Sequence, residues 1–313
     1  MKATKKEENT SLVSVIGTAV QIPGVKVNRN AFLCEQFKNE SAEMMQLILE
    51  KGPIEAGVTR DTLKKKATKL VNDRTLLSSG TSFISGIPGG LAMAATIPAD
   101  MLQFYGIALR LAQELIYLFG EADLWNEGTL DMEKVTNQLV LYCGVMMGAT
   151  GAVEAVRLMT SALAKQALKK LPQKALTKTF YYPIVKSVAK AFGAKMTKNV
   201  FAKGVSKAVP LIGGVVSGGI TLATMRPMGM RLAEALDKAS FSYTQEDFAS
   251  DWKEVIEIYE NEEPEAGVEG ESGQKNSAEE IMDKIAKAKS MLDGGIITES
   301  EFEKIKARLI AQM

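Results

Sequence analysis

The 313-residue chain contains no histidine. That removes Ser-His and Cys-His dyads, imidazole acid–base catalysis near neutral pH, and every histidine metal site. The two cysteines, Cys34 and Cys143, stand 109 residues apart, so neither a Cys-rich zinc cluster nor a disulfide framework can form. The glycine-rich stretches GIPGG and GGVVSGG lack the Lys-Ser/Thr of a phosphate-binding P-loop. Ser217 in VSGGI has no histidine to activate it and no G-x-S-x-G elbow around it. Carboxylate pairs such as Asp123 with Glu127, or Glu262 with Glu263, read as solvated face or linker. Cys143 sits in an apolar run and reads as a small buried hydrophobe. The sequence therefore leads us to expect no catalytic residue, no metal and no cofactor, and a chain that is not an enzyme.

The side chains with chemistry left to offer are lysines. Net charge is only +1, but from Ala155 to Ala233 there is no Asp or Glu, while 14 Lys or Arg occur. Glu246 to Glu271 reverses this, with 11 acids against the single Lys253. Within the basic block Lys165/Lys169, Lys170/Lys174, Lys174/Lys178, Lys186/Lys190 and Lys203/Lys207 are i,i+4 pairs. Leu163, Leu168, Leu171, Val185, Val188, Phe192, Val200 and Phe201 lie between them. This is the pattern of basic amphipathic helices, whose lysine stems lie along apolar surface while the ammonium groups reach an anionic headgroup plane. At about 1 kcal/mol per charge near an anionic leaflet, five or six such lysines hold a protein reversibly. The alternative is a solvated face neutralised by the acidic segment. Nucleic acid is the competing anion, and we expect none. The block holds one arginine before Arg226, and arginine is the favoured residue for bidentate phosphate and base contacts. No RRM, KH or helix-turn-helix signature accompanies it.

These side chains must be carried by helices. Aromatic content is 6%, β-branched alternation is sparse, and Ala, Leu, Met, Lys and Glu are abundant. The fold class expected is all-α: a multi-helix domain with glycine-rich apolar helices, followed by a small C-terminal helical hairpin. Residues 1–29 read as a loose arm. Asn30 is placed to cap a helix through Phe37, and Ser41 a second through Lys51, stopped by Gly52-Pro53. Thr59 opens a third, with Leu63, Ala67, Leu70 and Val71 at helical spacing. Ala99 to Gly120 is a strong helix with a narrow polar stripe of Asp100, Gln103, Arg110, Gln113 and Glu114. That stripe reads as a wet face or a structural pair, Arg110 and Glu114 being i,i+4 partners, with a lined cavity as the alternative. Trp252, Val255, Ile256 and Tyr259 imply another helix, and NEEPEAGVEGESGQKN reads as a charged linker.

Three long uncharged runs stand out: 75–99, 135–153 and 208–225. Each nears the roughly 20 residues that span a bilayer, but all are rich in Gly, Ser and Thr, and Pro88 and Pro98 break the first. Each carries a G-x-x-x-G: Gly86/Gly90, Gly144/Gly148 and Gly214/Gly218. Glycines four apart let another backbone approach. Gly144, Gly148, Gly214 and Gly218 are therefore expected at helix contacts, in a tightly packed core or in helices that enter lipid.

Two resemblances follow from these residues. IMDKIAKAKSMLDGGIITESEFEKIKARLI resembles a SHOCT module, carried by the G-I-I-T-E-x-E-F core from Gly295 to Phe302. Capping boxes at Ser277/Glu280 and Thr298/Glu301 and one apolar stripe per helix suit a helical hairpin. The resemblance implies a docking or oligomerising element without catalytic residues. IPGGLAMAATIPADMLQFYGIALRLAQELIYLFG (87–120) and VPLIGGVVSGGITLATM (209–225) resemble the EcsC family, over residues 60–240. That implies a bacterial, membrane-linked context and no mechanism. The organisation expected is an arm (1–29), an EcsC-like helical domain (30–243), an acidic helix and linker (244–276) and the hairpin (277–313). No secretory signal is expected. Lone cysteines suit a reducing cytoplasm, and the protein is expected to be peripheral to, or partly inserted in, the cytoplasmic membrane. The partners expected are anionic membrane lipid, through Lys165, Lys169, Lys170, Lys174, Lys178, Lys186, Lys190, Lys203 and Lys207, and a second copy through the hairpin. The acidic segment is expected to shield the basic block when lipid is absent.

Overall fold

The computed structural model describes residues 12–77, 99–126, 130–168, 184–186, 188 and 218–261, with positions 285, 289, 292, 299, 302, 303, 306 and 307 near the C-terminus. The protein is all-α, with no strand among the described residues. Helices of the main body are α1 (Leu12–Ala19), α2 (Arg29–Gln36), α3 (Ala42–Lys51), α4 (Arg60–Leu77), α5 (Ala99–Leu118), α6 (Met132–Met147), α7 (Ala152–Thr160), α8 (Ala162–Leu168), α9 (Gly218–Phe241) and α10 (Gln245–Asn261).

A helix apolar on all sides must be buried on all sides. α5 is apolar apart from a narrow polar stripe and forms the centre, touching α1, α2, α4, α6 and α9. Tyr105, Ala108, Leu109, Leu111, Ala112, Leu115, Ile116, Tyr117 and Leu118 are all buried. Each large apolar side chain so placed contributes about 1.5–3 kcal/mol relative to exposure. Around α5 the other helices bury one face each. On α4 that face is Leu63, Ala67, Leu70 and Val71, as the spacing predicts.

α4 and α9 run antiparallel. Asp237 of α9 meets Arg60 at 2.7 Å and Lys64 at 3.3 Å, near the start of α4. Arg226 Nε donates to Asn72 Oδ1 at 3.0 Å near its end. The helices approach closely because Gly229 sits at the crossing. A Cβ there would lie 2.9 Å from Leu111 and 3.0 Å from Val71.

Several boundaries differ from the sequence reading. The N-terminal segment is not a loose arm from residue 12 onward. Val15, Ile16, Ala19, Val20, Ile22 and Val25 are buried in the main core. Gly106 of α5 leaves room for Val25, and the apolar content of LVSVIGTAVQI finds its partner there. The cap of α2 is Asn28 and not Asn30: the Asn28 side chain accepts from Ala31 N–H at 2.8 Å. Asn30 Oδ1 accepts from Arg29. Ser41 caps α3 as expected, accepting from Met44 N–H at 3.2 Å. α10 is no detached acidic helix. Phe248, Trp252 and Val255 are buried in the same core as α5, because one side of QEDFASDWKEVIEIYEN is apolar.

The glycine pair of α6 splits into two roles. Gly144 faces Ala152 and Val188, where an added Cβ would lie at 3.0 and 3.1 Å, so it is a contact glycine. Gly148 is not. Its φ of 72° places it in the left-handed region, where it closes α6. Gly148 N–H donates to Val145 and Ala149 N–H to Gly144, and these bonds satisfy the last carbonyls. Gly214 lies outside the described residues, and Gly218 is the first residue of α9.

Two glycine substitutions should have opposite effects. Gly229→Ala overpacks the α4–α5–α9 crossing and should cost about 1–3 kcal/mol in urea unfolding. Gly17→Ala meets nothing within 4 Å in α1, so it should stabilise by about 0.5–1 kcal/mol through lower backbone entropy.

Candidate functional site

The polar stripe of α5 turns inward. Glu114 and Gln113 are fully buried, which corrects the wet-face reading. Burial of a carboxylate requires compensation, and two guanidinium groups supply it. Arg74 of α4 grips Glu114 bidentately, at 2.6 and 2.5 Å. Arg110, one turn before on α5, donates Nε to Glu114 at 3.0 Å and Nη1 to the Gly24 carbonyl at 2.6 Å. Gln113 meets all its valences. Its Oε1 accepts from Val27 N–H at 3.1 Å and Trp125 Nε1 at 2.7 Å. Its Nε2 donates to Val25 and Leu109 carbonyls, both at 2.9 Å. Among the described residues this stripe is a set of ties holding the 22–27 segment, α4 and the 121–126 turn to α5, and lines no cavity. Asp100 lies in the first turn of α5; its side chain and that of Gln103 lie outside the described residues. Nothing in the sequence marks Arg74 as the partner of a glutamate 40 positions away.

In the acid-free stretch, Arg157, Lys165, Arg226 and Arg231 find partners outside it. Arg157 of α7 holds Asp251 of α10 at 2.9 and 2.5 Å and Glu154 at 3.2 Å. Tyr243 Oη donates to Asp251 at 2.8 Å. Burial works most strongly against the Arg157 charge, but its hydrogen bonds to Asp251 and the attraction of Asp251 and Glu154 together outweigh this, and its pKa is raised. Glu254 nearby is also raised, by burial and then by Glu154 and Asp251. Lys165 of α8 pairs with Glu121 at 2.8 Å. Burial lifts the Glu121 pKa while Lys165 pulls it back. Arg231 donates to the Met146 carbonyl at the end of α6, at 3.0 Å. Lys186 sits in a short helical piece whose Ile184, Val185 and Val188 are buried. Lys169, Lys170, Lys174, Lys178, Lys190, Lys203 and Lys207 lie outside the described residues.

Three titratable side chains of the described core are buried: Cys143, Tyr105 and Tyr117. Burial pushes the Cys143 thiol up to about 12, so it stays protonated and packs as a hydrophobe. Burial likewise raises the Tyr105 and Tyr117 hydroxyls. Among the described residues no three Cys, Asp or Glu side chains gather where a metal could sit. None of the helices there is long and apolar enough to cross a membrane.

One concavity was not anticipated from the sequence. An open groove of about 460 Å³ runs along the outer side of α4, lined by Lys64, Lys65, Thr68, Lys69, Asn72 and Asp73. The acids interspersed in RDTLKKKATKLVNDR hide it from a reading of charge blocks.

Residues 283–310 match the SHOCT family, the short C-terminal domain. The SHOCT resemblance is thus shown for the end of the chain. Phe302 is buried within it, and Ile285 and Leu292 are half-buried, while Lys289, Glu299 and Glu303 are exposed. Lys289 and Lys306 ammonium groups lie 5.6 and 5.7 Å from the Phe302 ring centre. No curated protein and no solved structure matches the chain.

Glu114→Gln should leave two guanidinium groups facing a neutral amide. The arginine side chains are 26% and 31% exposed, so water recovers part of the loss. Unfolding in urea should show a cost near the low end for a broken buried pair, about 2–3 kcal/mol. Acid should act through Asp247 in the first turn of α10: its N–H donates to Thr244 Oγ1 and its carboxylate accepts from Thr244 N–H. Its bonds to Lys238 and to Thr244 N–H lower its pKa to about 2. A depressed carboxylate stabilises above its unfolded value and loses that contribution as pH falls through the folded one. Thermal melts between about pH 4 and pH 2 should therefore fall less steeply in Asp247→Asn than in the parent.

Proposed function

We propose that this protein is a non-enzymatic, membrane-associated helical protein of the EcsC type. Its basic region meets anionic phospholipid, and its SHOCT hairpin serves as a docking or self-association element. The observation that carries the reading is the charge pattern. Ten lysines, with no arginine and no acid among them, fall between Lys169 and Lys207 at amphipathic spacing. Nearby carboxylates are already committed to other partners, Asp251 to Arg157 and Glu121 to Lys165. Lysines over apolar residues suit a headgroup plane, which needs point charges in number and not planar bidentate recognition.

The shielding role narrows to the linker. Asp251 and Asp247 are structural, so removing 246–276 would take α10 out of the core. The linker acids Glu262, Glu263, Glu265, Glu269 and Glu271 are the ones left to compete with lipid.

The full chain should float with phosphatidylglycerol-containing vesicles, stay behind with phosphatidylcholine alone, and release in high salt. Replacing Lys169, Lys170, Lys174 and Lys178 by Gln should weaken binding by at least about 100-fold, from about 1 kcal/mol per charge. Equal binding to neutral vesicles, or none to anionic ones, would sink the reading. Deleting 262–276 should strengthen binding; an unchanged affinity rejects the shield. Truncation before 277 should lower the mass measured by light scattering if the hairpin self-associates, and an unchanged mass rejects self-association.

A further inference from the structure

We propose that the outer face of α4 is a second phospholipid contact, in which Lys64, Lys65 and Lys69 meet anionic headgroups and Leu76 enters the apolar layer. It rests on the membrane reading above but uses different residues. Lys65, Lys69, Asn72 and Leu76 follow one another at steps of four, three and four, so they share one face. That face points away from Leu63, Ala67, Leu70 and Val71, which are buried. The groove described above lies along it. Lys69 is exposed and among the described residues pairs with Asp73, itself half exposed, an arrangement that costs little to exchange for a phosphate. Lys64 is half exposed beside Asp237.

Leu76 is the most solvent-exposed large hydrophobic among the described residues, at 62%. Cations along a helix ending in an exposed leucine match the order of a leaflet, with charge outside and hydrocarbon within. α9 adds Arg226, exposed and held against Asn72 one turn before Leu76. Because α4 and α9 are antiparallel, the end of α4 (Leu77) and the start of α9 (Gly218) lie at the same end of the pair. In sequence each lies within an uncharged glycine-bearing run, 75–99 and 208–225. The tertiary pairing thus brings parts of two apolar runs beside this cationic face, an association that no stretch of sequence contains.

The test uses the full chain and vesicles of phosphatidylglycerol and phosphatidylcholine. Lys65→Gln with Lys69→Gln should weaken flotation about tenfold, the factor expected for two lysines near an anionic leaflet when one is partly neutralised. Leu76→Ser should weaken it as well. In a Cys34→Ser background, Leu76→Cys carrying a polarity-sensitive fluorophore should shift to the blue on anionic vesicles. These positions are exposed, so melting temperature should stay constant. Parent-like binding by both variants, or a fluorophore that stays in water, overturns this inference while leaving the basic-region reading intact. Failure of the parent to bind overturns both. Displacement by inorganic phosphate at matched charge would identify a simple anion site and overturn the lipid assignment.

Discussion

Burial of α5 is the constraint on which the rest of the protein depends. A helix enclosed on every side contributes strongly to stability through its apolar residues, but Gln113 and Glu114 go into the core with it. An unmet buried amide or carboxylate would cancel several buried leucines. Arg74, Arg110, Val25, Val27 and Trp125 meet them. Those bonds fix where α4, the N-terminal segment and the turn after α5 must lie. The central helix therefore specifies its neighbours through its few polar atoms and is stabilised by its many apolar ones.

The same economy governs charge at the edges of the bundle. Asp237 ties α4 to α9, Asp251 ties α7 to α10, and Glu121 ties the end of α5 to α8. Arg29 bonds the Glu121 and Leu49 carbonyls at the ends of α5 and α3, and burial lowers its pKa. Acids from outside the basic stretch are taken up at its borders. The lysines between 169 and 207 have no acidic neighbours in sequence.

The organisation of the chain also becomes clearer. Among the described residues, α1 and α10 bury apolar faces against the same core, so the first and last helices of the main body share it. The SHOCT match begins at residue 283, beyond the acidic linker.

Local signals in the sequence determined the all-α class, the cap at Ser41, the inward face of α4, the burial of Cys143 and the SHOCT match. Each depends on residues within one or two helical turns, where periodicity and capping act. The tertiary structure alone decided that residues 12–27 and α10 belong to the core, that Glu114 is gripped by Arg74, that Gly148 ends a helix while Gly144 packs one, and that Arg226 stands beside Asn72. These depend on which faces meet across tens to hundreds of residues, and apolar or charged side chains carry no label naming a distant partner. Packing makes that choice, by requiring that every buried charge and amide be answered at once.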